Sequence, residues 1–231
     1  MPNQAFDQST YQVRFDWGLS GLERLAPADI VVVVDVLNFS THVIAEFESG
    51  REVVPDAATA APGFDGAPIA ALAGRSDGTV LLATHRNCGA VAREVMRVQT
   101  ERGTRTSVAV IAAGERDGLD DALVERDGLE AAAGAFAHGQ SGAVRFAVED
   151  FLGAGAVIAA LGDLGIDHCS PEAVAAAEAH RALRGATRHL LSASGTGRQL
   201  AAAGQGHALA AALAAGESAV VPRLRAGTFT H

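Results

Sequence analysis

Residues 30–47, IVVVVDVLNFSTHVIAEF, decide the fold. The stretch opens on five consecutive β-branched apolar residues, Ile30 to Val34. A run without a polar position has no solvent face, so it predicts a central strand covered on both sides. Asp35 closes the run, and Asn38, Ser40 and Thr41 lead into Val43, Ile44 and Phe47 at helical spacing. The strand therefore delivers a carboxylate, an amide and two hydroxyls to its C-terminal edge, where a helix begins. Open α/β sheets bind ligands at that edge, and the N–H groups of a helix start suit an anion such as phosphate. The plainer reading makes Ser40 or Thr41 an N-cap and Asp35 a turn residue.

Elements of the same class surround this unit. YQVRFDW (11–17) alternates loosely and predicts a strand at the sheet edge. Glu52 to Val54, before Pro55, reads as a short parallel strand completing a βαβ unit. Thr79 to Thr84 and Ser107 to Ala113 are apolar strands, and Asn87 to Arg102 carries helical spacing through Val91, Val95 and Val98. A helix is expected over 128–138. Glu149-Asp150 opens a small-residue helix over 149–163, and acidic residues in a first turn suit the helix dipole. From Ser170 onward the chain predicts helices at 172–184, 186–193, 196–203 and 206–214, the first announced by Ser170-Pro171-Glu172. Gly195-Thr196-Gly197-Arg198 follows no strand, so it reads as a turn between helices rather than a dinucleotide fingerprint. The expectation is a single α/β domain over 1–231, three-layer α/β/α with a mainly parallel central sheet and a helical C-terminal part.

Composition narrows the function. The 231 residues suffice for one sizeable core. The formal net charge is −9 and lysine is absent, all eighteen basic residues being arginine, so no basic cluster tracks a nucleic-acid backbone. No long apolar run lacks glycine or charge, so no membrane span is expected. The N-terminus lacks the basic start and apolar segment of a secretory signal, and Cys88 and Cys169 have neither metal-site nor redox-motif spacing. A cytoplasmic protein with reduced thiols is the expectation. The histidines show no HxxxH or HExxH spacing. A Cys88 nucleophile beside His85 is a third reading, although the phosphate-loop arginine of cysteine phosphatases is missing: Glu94 stands six residues on.

Four acidic groups fall at strand or helix ends: Asp35, Glu115, Glu149 and Asp150. A few hard oxygen ligands, completed by water and a substrate phosphate, describe a Mg²⁺ site. Such an ion neutralises phosphoryl charge and orients an attacking water. Asn38, Ser40, Thr41 and Asn87 are candidate donors to phosphate oxygens, and Arg116 a bidentate anion partner.

Four stretches, in order, resemble the motifs of the 2-phosphosulfolactate phosphatase family: VVVVDVLNFST (31–41), HRNCGAVAREV (85–95), VAVIAAGER (108–116) and VEDFLGAGAVIAAL (148–161). RFDWG from Arg14 fits the start of some members, and ASGTGRQLAAAG (193–204) fits their C-terminal helices. The resemblance implies a three-layer α/β fold, Mg²⁺ dependence and hydrolysis of a phosphate ester on a sulfonated lactate. Carried over by position, the implied site is Asp35, Ser40, Thr41, Glu115, Arg116, Glu149 and Asp150, with Asn87. In this reading Asp35, Glu115 and Arg116 are catalytic, while Asp35, Glu149 and Asp150 hold the metal. A homodimer is expected, because family members are expected to pair and the alanine-rich helices after residue 170 carry few charges. The region 55–66 is shorter than its family counterpart, which favours the alternative of a catalytically weak relative that binds a small anion or a partner.

Overall fold

The structure, a computed structural model, describes residues 5–51, 53, 65–116, 144–214 and 217–230. Strand β1 (Val13–Trp17) leads into helix α1 (Gly18–Arg24), and β2 (Ile30–Val34) into α2 (Phe39–Glu48). Helix α3 (Gly66–Ala73), β3 (Thr79–Ala83), α4 (Cys88–Arg102) and β4 (Val108–Ala112) follow. A two-stranded ribbon pairs β5 (Glu115–Arg116) with β6 (Val144–Arg145). Helices α5 (Val148–Asp163), α6 (Pro171–Leu183), α7 (Thr187–Ala193), α8 (Gly195–Ala202) and α9 (Gly206–Ala212) precede a hairpin of β7 (Arg223–Arg225) and β8 (Thr228–Thr230). Of the expected strand at 52–54 only Val53 is among the described residues, and the expected helix at 128–138 lies outside them.

The sheet order is β1-β4-β2-β3-β7-β8. As expected, β2 lies inside the sheet, flanked by parallel β4 and β3, and β1 takes the edge beside β4. The sheet is nonetheless mixed rather than mainly parallel, because β7 runs antiparallel to β3 and β8 antiparallel to β7. The cause is local. Ala226 (φ 48°) and Gly227 (φ 81°) form a tight two-residue turn of the left-handed kind that matches strand twist. Each strand of this hairpin has only three residues, too few for an alternating pattern to show in the sequence.

All five residues of β2 are buried, and they divide by the period of two. Ile30, Val32 and Val34 join a core with Val91 and Val95 of α4, Val157 and Leu161 of α5, and Ala176 of α6. Val31 and Val33 join a second core with Val43 of α2 and Ile69 and Ala73 of α3. Burial of this kind contributes about 1.5–3 kcal/mol for each such side chain. Helices α5 and α6 cross in close contact at Gly155, where a Cβ would lie 2.1 Å from the Ala176 carbonyl oxygen. No helix among the described residues is long and apolar enough to cross a membrane.

The parallel strands β1, β4, β2 and β3 end on one edge, and α5 begins there. Asp35, Thr84–Asn87, Gly114–Glu115 and Glu149–Asp150 meet on that side. The sheet core is what holds these loops. Replacing the fully buried Ile111 of β4 by alanine is expected to lower unfolding free energy by about 2–5 kcal/mol in urea. Val174→Ala on α6, where the side chain is 47% exposed, is expected to stay within about 0.5 kcal/mol of wild type.

Candidate active site

Asp35, Glu149 and Asp150 are each only 3% exposed. Asp150, in the first turn of α5, accepts the Val36 N–H on Oδ1 (2.8 Å) and the Gly114 N–H on Oδ2 (2.9 Å). It thereby ties the loop after β2 to the turn after β4. That turn is built on Gly114 (φ 68°), where a Cβ would lie 2.5 Å from Val144 Cγ1.

Asp35 accepts the Gly66 N–H at 2.9 Å, across the start of α3. A Cβ on Gly66 would lie 2.9 Å from Asp35 Cβ and 3.1 Å from its Oδ2, so glycine permits the approach. Burial pushes the Asp35 carboxyl up to about 7 against the opposing pull of the Gly66 N–H; the neighbouring Asp65 adds to the rise, and the N–H groups of Phe39 and Asn38 lessen it. Asp150 is raised well above the usual carboxylate range, first by burial and then by the charges of Asp35 and Glu149. The edge therefore holds acidic groups that oppose one another's ionisation.

The residues expected to bind phosphate divide by role. Ser40 is fully buried, donates to the Val33 carbonyl (3.3 Å) and accepts the Asp35 N–H (3.1 Å). Thr41 donates its hydroxyl to the Val36 carbonyl. Asn87, also fully buried, accepts from Thr84 N–H (2.8 Å) and donates to the carbonyls of Leu82 (3.1 Å) and Val220 (2.9 Å). These three side chains fix the loops after β2 and β3. Ser40 and Thr41 are not the plain N-caps of the simpler reading either, since Asn38 takes the cap position of α2. Asn38 is partly exposed, and its side chain makes no hydrogen bond among the described residues.

Glu115 is held on both oxygens, one paired with the Arg145 guanidinium and the other accepting the Thr196 hydroxyl. The Arg116 backbone pairs with Val144 in the ribbon, and its side chain lies outside the described residues. Glu149 makes no hydrogen bond or ion pair among the described residues. It lines a small cleft of about 120 Å³ with Glu115, Arg145, Ser194 and Gly195. Arg145, Ser194, Gly195 and Thr196 escaped the sequence reading. Their signal was the serine before Gly-Thr-Gly, for Ser194 caps α8 by accepting the Gly197 N–H at 3.0 Å.

A thiolate nucleophile finds no support. Burial pushes the Cys88 thiol up, and its Sγ–H donates to the His85 carbonyl at 3.2 Å. Burial and the neighbouring Arg86 and His180 bring the His85 imidazole down to about 4, so it is neutral at pH 7.

The raised Asp35 pKa sets the sign of a pH effect. Between pH 4 and 7 the unfolded chain has lost a proton that the metal-free folded state still holds. Stability contributed by this group is full below about pH 4 and declines as pH rises towards 7. Thermal melts in EDTA are expected to show that decline in wild type and a flatter profile in Asp35→Asn.

A family model for 2-phosphosulpholactate phosphatase matches residues 66–227, more than two thirds of the chain. The matched segment contains Asn87, Glu115, Arg116, Glu149 and Asp150, while Asp35 and the β2–α2 loop precede it. No curated protein matches the chain at a significant level. With its mixed α/β fold and its matched segment running from α3 to the final hairpin, the chain belongs to the 2-phosphosulpholactate phosphatase family.

Proposed function

We propose that the protein is a Mg²⁺-dependent phosphatase acting on a small anionic phosphoester such as 2-phosphosulfolactate. One observation carries this reading: Asp35 and Asp150 are buried together on the C-terminal sheet edge with both carboxyls raised. Two like charges in a low-dielectric site call for a cation or a retained proton.

The donor set suits magnesium. No three His, Cys, Asp or Glu side chains gather into a metal cluster among the described residues. Magnesium needs no such cage, because it keeps several waters and takes one or two carboxylates plus substrate phosphate. Asp35 and Asp150 would hold it, with Glu149 alongside. Bound there, the ion would offset the charge of a phosphoryl group.

The chain's own groups supply the rest. Asn38 offers an unengaged amide at the start of α2, and Arg116 is the proposed guanidinium partner of the phosphate. Ser40, Thr41 and Asn87 position the loops that carry them. Glu115, clamped by Arg145 and Thr196, holds the ribbon against α8 and so places Arg116. A second reading, an anion-binding relative with little turnover, draws on the same geometry. The buried hydroxyls of Ser40 and Thr41 are engaged with backbone rather than open to a ligand.

Phosphate release from 2-phosphosulfolactate, with Mg²⁺ and with EDTA, separates the two readings. Turnover that requires Mg²⁺ and falls roughly 10²-fold or more in Asp35→Asn and Asp150→Asn is expected, on the scale of losing one charge-stabilising group. Phosphate binding without turnover in wild type would instead establish the second reading.

A further inference from the structure

We propose that a pocket of about 330 Å³, where β6 meets the end of β1 and helix α1, is a second binding site. Its ligand is an uncharged planar ring bearing a hydrogen-bond acceptor. Trp17 and Phe146 hold the ring, and Arg24 takes the acceptor. None of Asp35, Glu115, Glu149 and Asp150 lines this pocket, so it is separate from the carboxylate edge and independent of the phosphatase reading.

Two aromatic side chains form the wall. The rings of Trp17 and Phe146 stand 5.4 Å apart, tilted by 52°. Phe151 backs both, at 6.1 Å from Trp17 and 5.4 Å from Phe146, and Phe15 meets the indole edge-on at 5.6 Å. The indole is thereby fixed, while Phe146 stays 56% exposed. Side chains alternate through β6 and the residue after it: Val144 and Phe146 line the pocket, and Arg145 between them pairs with Glu115. Val144 is seated closely, since a Cβ on Gly18 (φ 61°) would lie 2.7 Å from its Cγ2. The wall is therefore built before any ligand arrives, and its volume reaches the roughly 300 Å³ at which small-molecule sites begin.

The polar end is a separate observation. Arg24 Nη1 pairs with Asp16 Oδ2, and Asp16 Oδ1 accepts the Trp17 backbone N–H at 2.8 Å. Both oxygens of Asp16 are thus engaged, and they hold the guanidinium on the pocket wall. The other guanidinium N–H groups have no acceptor among the described residues, and neither has the Trp17 indole N–H. Asp16 offsets the charge of Arg24, so the lining has no net charge to select a phosphate or an ammonium group. Free donors beside aromatic faces match a flat ring with a carbonyl or ring-nitrogen acceptor, as in an aryl amide or a nucleobase. A saturated ring has the same acceptor but loses the ring-on-ring contact.

Trp17 is the chain's only tryptophan, so a proton–nitrogen correlation spectrum contains one indole signal, and that signal reports this pocket. Titration with benzamide is expected to move it saturably. Cyclohexanecarboxamide, the saturated analogue, should bind about three- to tenfold more weakly. Phe146→Ala and Arg24→Met should each weaken benzamide binding about threefold or more. Phe146 is 56% exposed and the Arg24 side chain 45%, so both variants are expected to fold, and melting curves check this. Inorganic phosphate with Mg²⁺ should leave benzamide affinity unchanged. Equal affinity for the two amides overturns the proposal, as does an indole signal that benzamide does not move or a benzamide affinity that Phe146→Ala leaves unchanged. Displacement of benzamide by phosphate would put it at the carboxylate edge and overturn the proposal equally.

Discussion

The structure of the C-terminal sheet edge depends on one carboxylate taking two backbone hydrogen bonds. Asp150 grips Val36 N–H and Gly114 N–H, joining loops that leave the neighbouring strands β2 and β4. Both bonds are charge-assisted when the group is ionised, yet burial near Asp35 and Glu149 opposes that ionisation. The fold therefore holds an electrostatic imbalance at the place where an α/β sheet presents its ligand site. The proposed divalent cation would offset that charge and give the imbalance a chemical use.

Helix starts divide the remaining work. The first amides of α2 and α3 turn towards Asp35. The start of α8, about 160 residues further along the chain, faces the cleft instead. Ser40, Thr41 and Asn87 bond to backbone groups of their own loops and of the strands before them, and Asn87 also reaches Val220, which gives the edge its rigidity. Such buried, satisfied polar networks specify one loop conformation at the cost of leaving few side chains free for ligand.

Much of this was legible in the sequence because it is local. The runs Ile30–Val34 and Val108–Ala112, and Val80 to Ala83 within β3, declare themselves by unbroken apolarity, and Cys88–Arg102 by its helical spacing. The placement of Asp35 and Asp150 on one edge follows from parallel strands and a helix returning over them. The chemistry of Ser40 and Asn87 was not legible, since a hydroxyl or amide near a helix start looks the same whether it faces backbone or solvent. The cleft was hidden for a different reason. It needs Glu115, Arg145, Glu149 and Ser194–Thr196 together, and their proximity is set by how α8 returns to the edge. The β7–β8 hairpin left no pattern because its strands are shorter than two periods of alternation.

The central claim is that the buried pair Asp35 and Asp150 is a divalent-cation site. Anomalous diffraction from crystals soaked in MnCl₂, a spectroscopically visible substitute for magnesium, tests it without reference to turnover. An anomalous peak is predicted between these two carboxylates at the C-terminal edge of β2. A fully occupied peak elsewhere on the chain, or a featureless edge at millimolar Mn²⁺, would contradict it.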